Sequence, residues 1–293
     1  MRVLLLGPNG QLGSDIRAAN AALPAPFDLT PIGRDRLELS NLDAAIAALS
    51  DLTFDAIINA TGYHKTDEVE SNAQLAFTIN AHLVKRLAEL CLSRKARLFH
   101  ISTDYVFGGQ AKRQPLLEDD PRAPLNVYGA SKCVGEDLGL MTGADVTVLR
   151  VASLFGVVGA SGKGGNFVET MIRLGRERGA LRVVDDQIMS PTSTADAARA
   201  LLQLLVASAS GGVYHLVNTG EVSWCGFAKR IIERMGIAAS VEPVPTTEMP
   251  TPAKRPPYSA LNNAKLSSVI GAIRDWDSAL GDYLMLKHGR HKA

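Results

Sequence analysis

At 293 residues, with 46% apolar side chains and 31 basic against 30 acidic residues, the chain exceeds one average domain. It carries no net field that would draw it to nucleic acid or to an anionic membrane. Cys91, Cys133 and Cys225 are odd in number, far apart and in no CxxC or metal-ligand spacing, which argues against a disulfide scaffold and predicts reduced thiols in the cytoplasm. The apolar start Met1–Leu6 stops at Gly7, too short for a secretion signal, and no later apolar run approaches the ~20 residues that span a bilayer.

Short apolar runs alternate with longer helical patterns, the signature of βαβ units around a parallel sheet. Strands are expected over 2–6, 27–32, 56–59, 97–102 and 146–151. Helices are expected from about Gln11, over 42–49, where Leu42, Ala45, Ile46 and Leu49 share one face, over 73–92 and over 128–140. From there the rhythm changes. A polar loop at 160–165 precedes a helix over 166–178, a strand over 181–184 and a helix over 194–206, and the proline-rich stretch 243–257 is irregular. The basic end, 287–292, reads as a solvated terminus. The pattern predicts an α/β protein: a doubly wound, Rossmann-type parallel sheet over residues 1–151 and a smaller α/β lobe over 152–293. Elements from about 181–215 are expected to return to the large sheet.

Gly7-Pro8-Asn9-Gly10-Gln11-Leu12-Gly13 follows a strand and opens a helix. A dinucleotide needs that context, because the backbone must turn tightly and meet a pyrophosphate at a helix N-terminus. Gly7, Asn9, Gly10, Gln11, Leu12 and Gly13 are therefore candidate cofactor residues. Arg34, just past the second strand, favours the extra phosphate of NADPH over NADH. Ala60, Thr61 and Gly62 end the third strand with small residues that let a cofactor pass. His64, just beyond, is expected at the surface or hydrogen-bonded.

Tyr128 and Lys132 are four residues apart, so on a helix they share a face about 6 Å apart along the axis. A cationic lysine there lowers the tyrosine pKa toward working pH, and Thr103 at a strand's carboxyl end can donate to a carbonyl oxygen. Together they suit ketone reduction, with hydride from a nicotinamide and a proton from Tyr128. Tyr283 and Lys287 have the same spacing but no preceding Ser-Thr strand end, and read as packing plus a surface lysine.

With these residues in view, the chain resembles the dTDP-4-dehydrorhamnose reductase family of the extended short-chain dehydrogenases/reductases. The likeness runs in order through Gly7–Gly13, Asp67–Glu70, Ser102–Phe107, Tyr128–Lys132, Gly165–Phe167, Asp186-Gln187, Ser190–Thr192 and Arg255-Pro256. It implies NAD(P)H-dependent reduction of the C4 ketone of dTDP-4-dehydro-β-L-rhamnose, with Thr103, Tyr128 and Lys132 catalytic. It also implies that Asp104, Tyr105 and Val106 line the sugar site, and that Asn166, Gln187 and Arg255 hold the nucleotide sugar. Asp67 and Glu70 read as charges complementing a helix dipole. Ser153 stands near the sugar where many family members carry tryptophan, which opens the identity of the sugar. The alternatives are reduction of another 4-keto-6-deoxy nucleotide sugar and a non-catalytic NAD(P)-binding regulatory subunit. Some relatives dimerise through magnesium, for which Asp15 is a candidate ligand, but no complete metal site is assembled here. A monomer or homodimer is expected, with no nucleic-acid or membrane partner.

Overall fold

A computed structural model describes residues 1–159, 165–207 and 209–289. Most of the expected polar loop at 160–165 and the last residues of the basic end lie outside the described residues.

Strands β1 (Arg2–Leu6), β2 (Asp28–Ile32), β3 (Ala56–Asn59), β4 (Arg97–Thr103) and β5 (Asp145–Val151) form one parallel sheet with a sixth strand, Gly212–His215. Across the sheet the order is 212–215, β5, β4, β3, β1, β2. The chain steps from β1 to β2 on one side and to β3 on the other. A crevice therefore opens beyond the carboxyl ends of β1 and β3, where open α/β sheets bind ligands.

The alternation of β1 decides the layering. Val3 and Leu5 point to a core shared with α1 (Gln11–Ala21) and the helix Thr194–Val206, through Leu12, Ile16, Leu201 and Leu205. Leu4 and Leu6 point the other way, against α2 (Leu42–Ser50) and the helix Leu83–Arg94, through Ala45, Leu49 and Leu87. With both faces covered, these strands read as nearly continuous apolar runs.

The helix expected over 73–92 divides in three: α-helix at Ala73–Phe77, a π turn at Thr78–His82 and α-helix again at Leu83–Arg94. Buried Asn80 sits in the π turn. Its Oδ1 accepts from the Tyr63 amide at 2.8 Å, and its Nδ2 donates to the Tyr63 carbonyl and to Ser131 Oγ, both at 3.0 Å. Its carbonyl lies so close to the helix Val127–Leu140 that a Cβ on Gly135 would stand 2.0 Å from that oxygen.

The second lobe packs Phe167–Arg178, Trp224–Met235 and Trp276–His288 around Phe155, Phe227, Ile231 and Leu280. Its strand Ala180–Val184 pairs with Ser240–Val244, whereas Thr194–Val206 and Gly212–His215 belong to the large sheet. The proline-rich stretch returns to the amino end of the helix Val127–Leu140, where Asn126 Nδ2 donates to the Lys254 carbonyl at 2.8 Å. Arg255 Nη2 donates to Asp67 Oδ2 at 2.7 Å, and Glu70 accepts from the Val127 amide at 2.8 Å. Asp67 and Glu70 thus bind specific backbone and side-chain groups, more than complementing a helix dipole. No helix among the described residues is long and apolar enough to cross a membrane.

Candidate active site

The glycine turn joins β1 to α1. Gly7 has φ +82°, and a Cβ on Gly13 would stand 2.1 Å from the Gly7 carbonyl oxygen, so both glycines are required by the turn itself. Gly10 differs: a Cβ there would meet Gly7 O only at 3.6 Å, an ordinary contact. The protein's own packing leaves that space open. The amino end of α1 has no side-chain cap and no acidic residue in its first turn, and Gln11 Oε1 is buried with no hydrogen-bond partner. Free helix amides and an orphaned amide oxygen fit a polyanionic ligand that also carries hydroxyl donors. Asn9 and Arg34 are exposed on either side, and Leu12 is buried beneath. Ala60, Thr61 and Gly62 follow β3, with Thr61 tethered by its amide to Asn59 Oδ1 at 3.1 Å.

Thr103, Tyr128 and Lys132 converge at the carboxyl end of β4. Thr103 Oγ1 donates to Asp104 Oδ1 at 3.1 Å and accepts from the Tyr105 amide at 3.2 Å. The Tyr128 hydroxyl lies next to Thr103, and its ring meets Tyr105 edge-on at 5.7 Å. The helix carrying Tyr128 and Lys132 is capped by Asn126, whose Oδ1 accepts from the Gly129 amide at 2.8 Å. Burial pushes the Tyr128 pKa up to about 12, with the neighbouring Thr103 hydroxyl opposing the rise and the Asp104 charge adding to it. The expected lowering by Lys132 is therefore corrected. The Lys132 amine points inward, donating to the Ile101 carbonyl at 2.6 Å and lying 3.1 Å from His100 Nε2. Burial brings its own pKa down to about 8, against the raising effect of Glu136. Asp104, also buried, is pushed up to about 6 despite bonds from Ser259 and Thr103.

Beside this trio a narrow cleft is lined by Asp104, Tyr105, Ser153, Gln187, Trp224 and Pro256. Four of the residues expected around the sugar thus meet there. Three do not. Val106 is fully buried in a core with Phe107 and Leu116. Asn166 caps the helix Phe167–Arg178, accepting from the Glu169 amide at 3.1 Å and donating to the Gly156 carbonyl and Tyr283. Arg255 stands next to the cleft residue Pro256, but its guanidinium is held by Asp67. Ser153 adopts φ +43°, a left-handed conformation unusual for serine, of the kind that clusters at functional sites. Trp224 and His100 escaped the sequence reading as site residues. Only the start of an amphipathic helix marked the first, and nothing but its place before Ser102-Thr103 marked the second. His64 Nδ1 lies 3.3 Å from the Gly62 carbonyl. Tyr283 packs at Phe155 and bonds Glu169, and Lys287 donates to the Val157 carbonyl. Asp15 accepts from Thr194, and among the described residues no cluster of three or more His, Cys, Asp or Glu side chains could hold a metal.

Residues 1–288 match the family described as RmlD substrate binding domain. A dTDP-4-dehydrorhamnose reductase of Burkholderia thailandensis is 35% identical over 96% of this chain and 97% of its own length. The crystal structure of a dTDP-4-dehydrorhamnose reductase from Clostridium acetobutylicum superposes with a TM-score of 0.89 at 35% identity, covering 98% of this chain and 99% of that one. That of a Bacillus anthracis dTDP-4-dehydrorhamnose reductase in complex with NADP gives 0.88 at 34% identity, over 97% and 99%. With the glycine turn, the Thr-Tyr-Lys trio and a match along nearly all its length, this chain belongs to the dTDP-4-dehydrorhamnose reductase family.

Proposed function

We propose that this chain reduces the C4 ketone of dTDP-4-dehydro-β-L-rhamnose to give dTDP-L-rhamnose, using NADPH in preference to NADH. The observation that carries the reading is the placement of Thr103, Tyr128 and Lys132 at the carboxyl end of β4, next to the cleft residues Asp104 and Tyr105, in a chain similar to named reductases along nearly all its length. When bound, the nicotinamide supplies the hydride to C4. Tyr128, protonated at neutral pH, gives its proton to O4, so that ketone, hydride and proton balance to the alcohol. Thr103 donates to the same oxygen as charge develops, and Lys132 holds the ribose and restores the proton-donating state of Tyr128. The amides of α1 and the side chain of Gln11 would hold the pyrophosphate and a ribose hydroxyl. Arg34 would meet the 2′-phosphate, a reading supported by the NADP bound to the Bacillus anthracis relative.

The nucleotide sugar would lie across the cleft between the sheet domain, which we end near residue 151, and the second lobe. Arg255 would pass from Asp67 to its diphosphate. Reduction of another 4-keto-6-deoxy nucleotide sugar is the second reading, favoured by Ser153, whose small side chain stands in a cleft walled by the aromatic rings of Tyr105 and Trp224. Three buried free cysteines fit a cytoplasmic enzyme, acting as monomer or homodimer. Loss of reduced-nicotinamide absorbance with dTDP-4-dehydrorhamnose, run separately with NADPH and NADH, tests the reading. Faster oxidation of NADPH is expected. Cofactor binding without oxidation of either nucleotide would overturn the substrate assignment and move the search to other keto sugars.

A further inference from the structure

Lys132 shares its buried environment with two side chains that the proposed reaction does not use. Asn59 and His100 are fully buried and Lys132 nearly so. They form a line from β3 through β4 to the catalytic helix: Asn59 Nδ2 lies 3.2 Å from His100 Nδ1, and His100 Nε2 lies 3.1 Å from Lys132 Nζ.

The direction of the protons along this line is set at its far end. Asn59 Oδ1 faces the Thr61 amide at 3.1 Å. A backbone N–H only donates, so the oxygen of the Asn59 amide must be on that side and its NH2 must face His100. His100 Nδ1 is then an acceptor. A neutral imidazole has one acceptor and one donor, so the ring proton sits on Nε2 and points at Lys132. An ammonium there would oppose donor to donor. An uncharged amine removes that conflict, giving one N–H to the Ile101 carbonyl at 2.6 Å and accepting from His100 Nε2–H on its lone pair.

We infer that Asn59 and His100 form a relay that favours the uncharged amine of Lys132, which makes His100 a positioning residue for the catalytic lysine. The inference rests on the proposed function only for the name catalytic; the hydrogen-bond accounting stands without it. Surrounding charges do not reverse it. Glu136, one turn along the same helix, is already engaged by Ser102, Arg150 and Arg122. Tyr128 is protonated, with Asp104 beyond it, and the neighbouring π turn contributes uncharged Asn80. Burial acts in the same direction on Lys132, and holds His100 neutral far below its ordinary range. The consequence is a pH threshold: Lys132 becomes a cation, able to grip a ribose, at a pH that His100 sets.

Heteronuclear NMR of nitrogen-labelled histidine and lysine in the full-length, nucleotide-stripped protein tests this without any turnover assay. The expected result is His100 protonated on Nε2 and Lys132 losing its charge below about pH 9, against about 10.4 for an ordinary lysine. Asn59→Asp should reverse the relay, because a carboxylate accepts from Nδ1–H and turns Nε2 into an acceptor. The Lys132 midpoint is then expected to rise by at least about one pH unit. A ring proton on Nδ1 in the unmodified protein, or a Lys132 still charged above about pH 10, would overturn the inference whether or not the variant folds. An unmoved midpoint in a folded Asn59→Asp protein would overturn it as well. Failure of the reductase assay would leave these readings untouched, so the two proposals fall separately.

Discussion

Tyr128 is a proton donor because of where it is, more than because of what is next to it. Burial pushes its pKa up to about 12, so the hydroxyl beside Thr103 holds its proton at neutral pH. Tyr128→Phe preserves the ring and its edge contact with Tyr105 and removes only the proton. The expected loss is about 10²- to 10⁴-fold in kcat, with NADPH binding by fluorescence titration retained. Normal turnover would remove Tyr128 from the chemistry. This part of the site was legible in the sequence, since its chemistry is written in local spacing: a strand ending in Ser-Thr, then Tyr and Lys one helical turn apart. What Lys132 bonds was not legible, because His100 and Ile101 reach it only through the packing of β4 on the helix. Asn166 is the opposite case. Asn166 followed three residues later by Glu169 is a helix-start pattern, and the structure shows it in that capping role.

Among the elements, the helix Val127–Leu140 is fixed at its flank and at its amino end. Its flank at Gly135 rests on the Asn80 carbonyl, and its amino end is held by Asn126 and Glu70. Gly135→Ala is expected to push the helix off the π turn, at a cost of about 1–3 kcal/mol in denaturant unfolding and with a fall in kcat, since Tyr128 and Lys132 move with it. An alanine variant with unchanged stability and turnover would show that the π turn yields instead. Element boundaries in the sheet domain followed the sequence closely, because apolar period and glycine turns mark them. The π turn did not. Thr78-Ile79-Asn80-Ala81-His82 is an ordinary helical pattern, and the widening comes from Asn80 bonding the Tyr63 backbone and Ser131 across the fold. Likewise the partner of Ala180–Val184 is some 60 residues away, beyond any local signal.

For the molecule as a whole, two buried histidines make stability depend on pH. His100 is held neutral far below its ordinary 6.5, and His215 falls to about 3, first by burial and then by the Arg150 charge. Both take up protons only on unfolding, so their stabilising contribution is complete above about pH 6.5 and is lost as pH falls. Asp104, raised to about 6, acts in the opposite sense: between about pH 4 and 6 the fold keeps a proton that the unfolded chain has released. The buried carboxyls, Asp15 among them, offset only part of the loss that the two histidines bring over that interval. Urea midpoints measured from pH 7 to pH 4 should fall accordingly, and His215→Gln should flatten most of that slope. A midpoint independent of pH would show that these side chains are not desolvated in solution.

The order of the strands also has a meaning in time. β5 is completed at Val151, yet the strand that covers its outer edge, Gly212–His215, comes only after the chain has laid down Ala180–Val184 in the other lobe. On a ribosome adding about 5–20 residues per second, that edge stays unpaired for some seconds while the intervening chain emerges. An unpaired, apolar strand is a template for pairing with another chain. A nascent chain halted between these two strands should therefore be the form most prone to aggregation and most in need of a chaperone. The cleft, whose walls come from both sides of that interval, is among the last parts of the protein to exist.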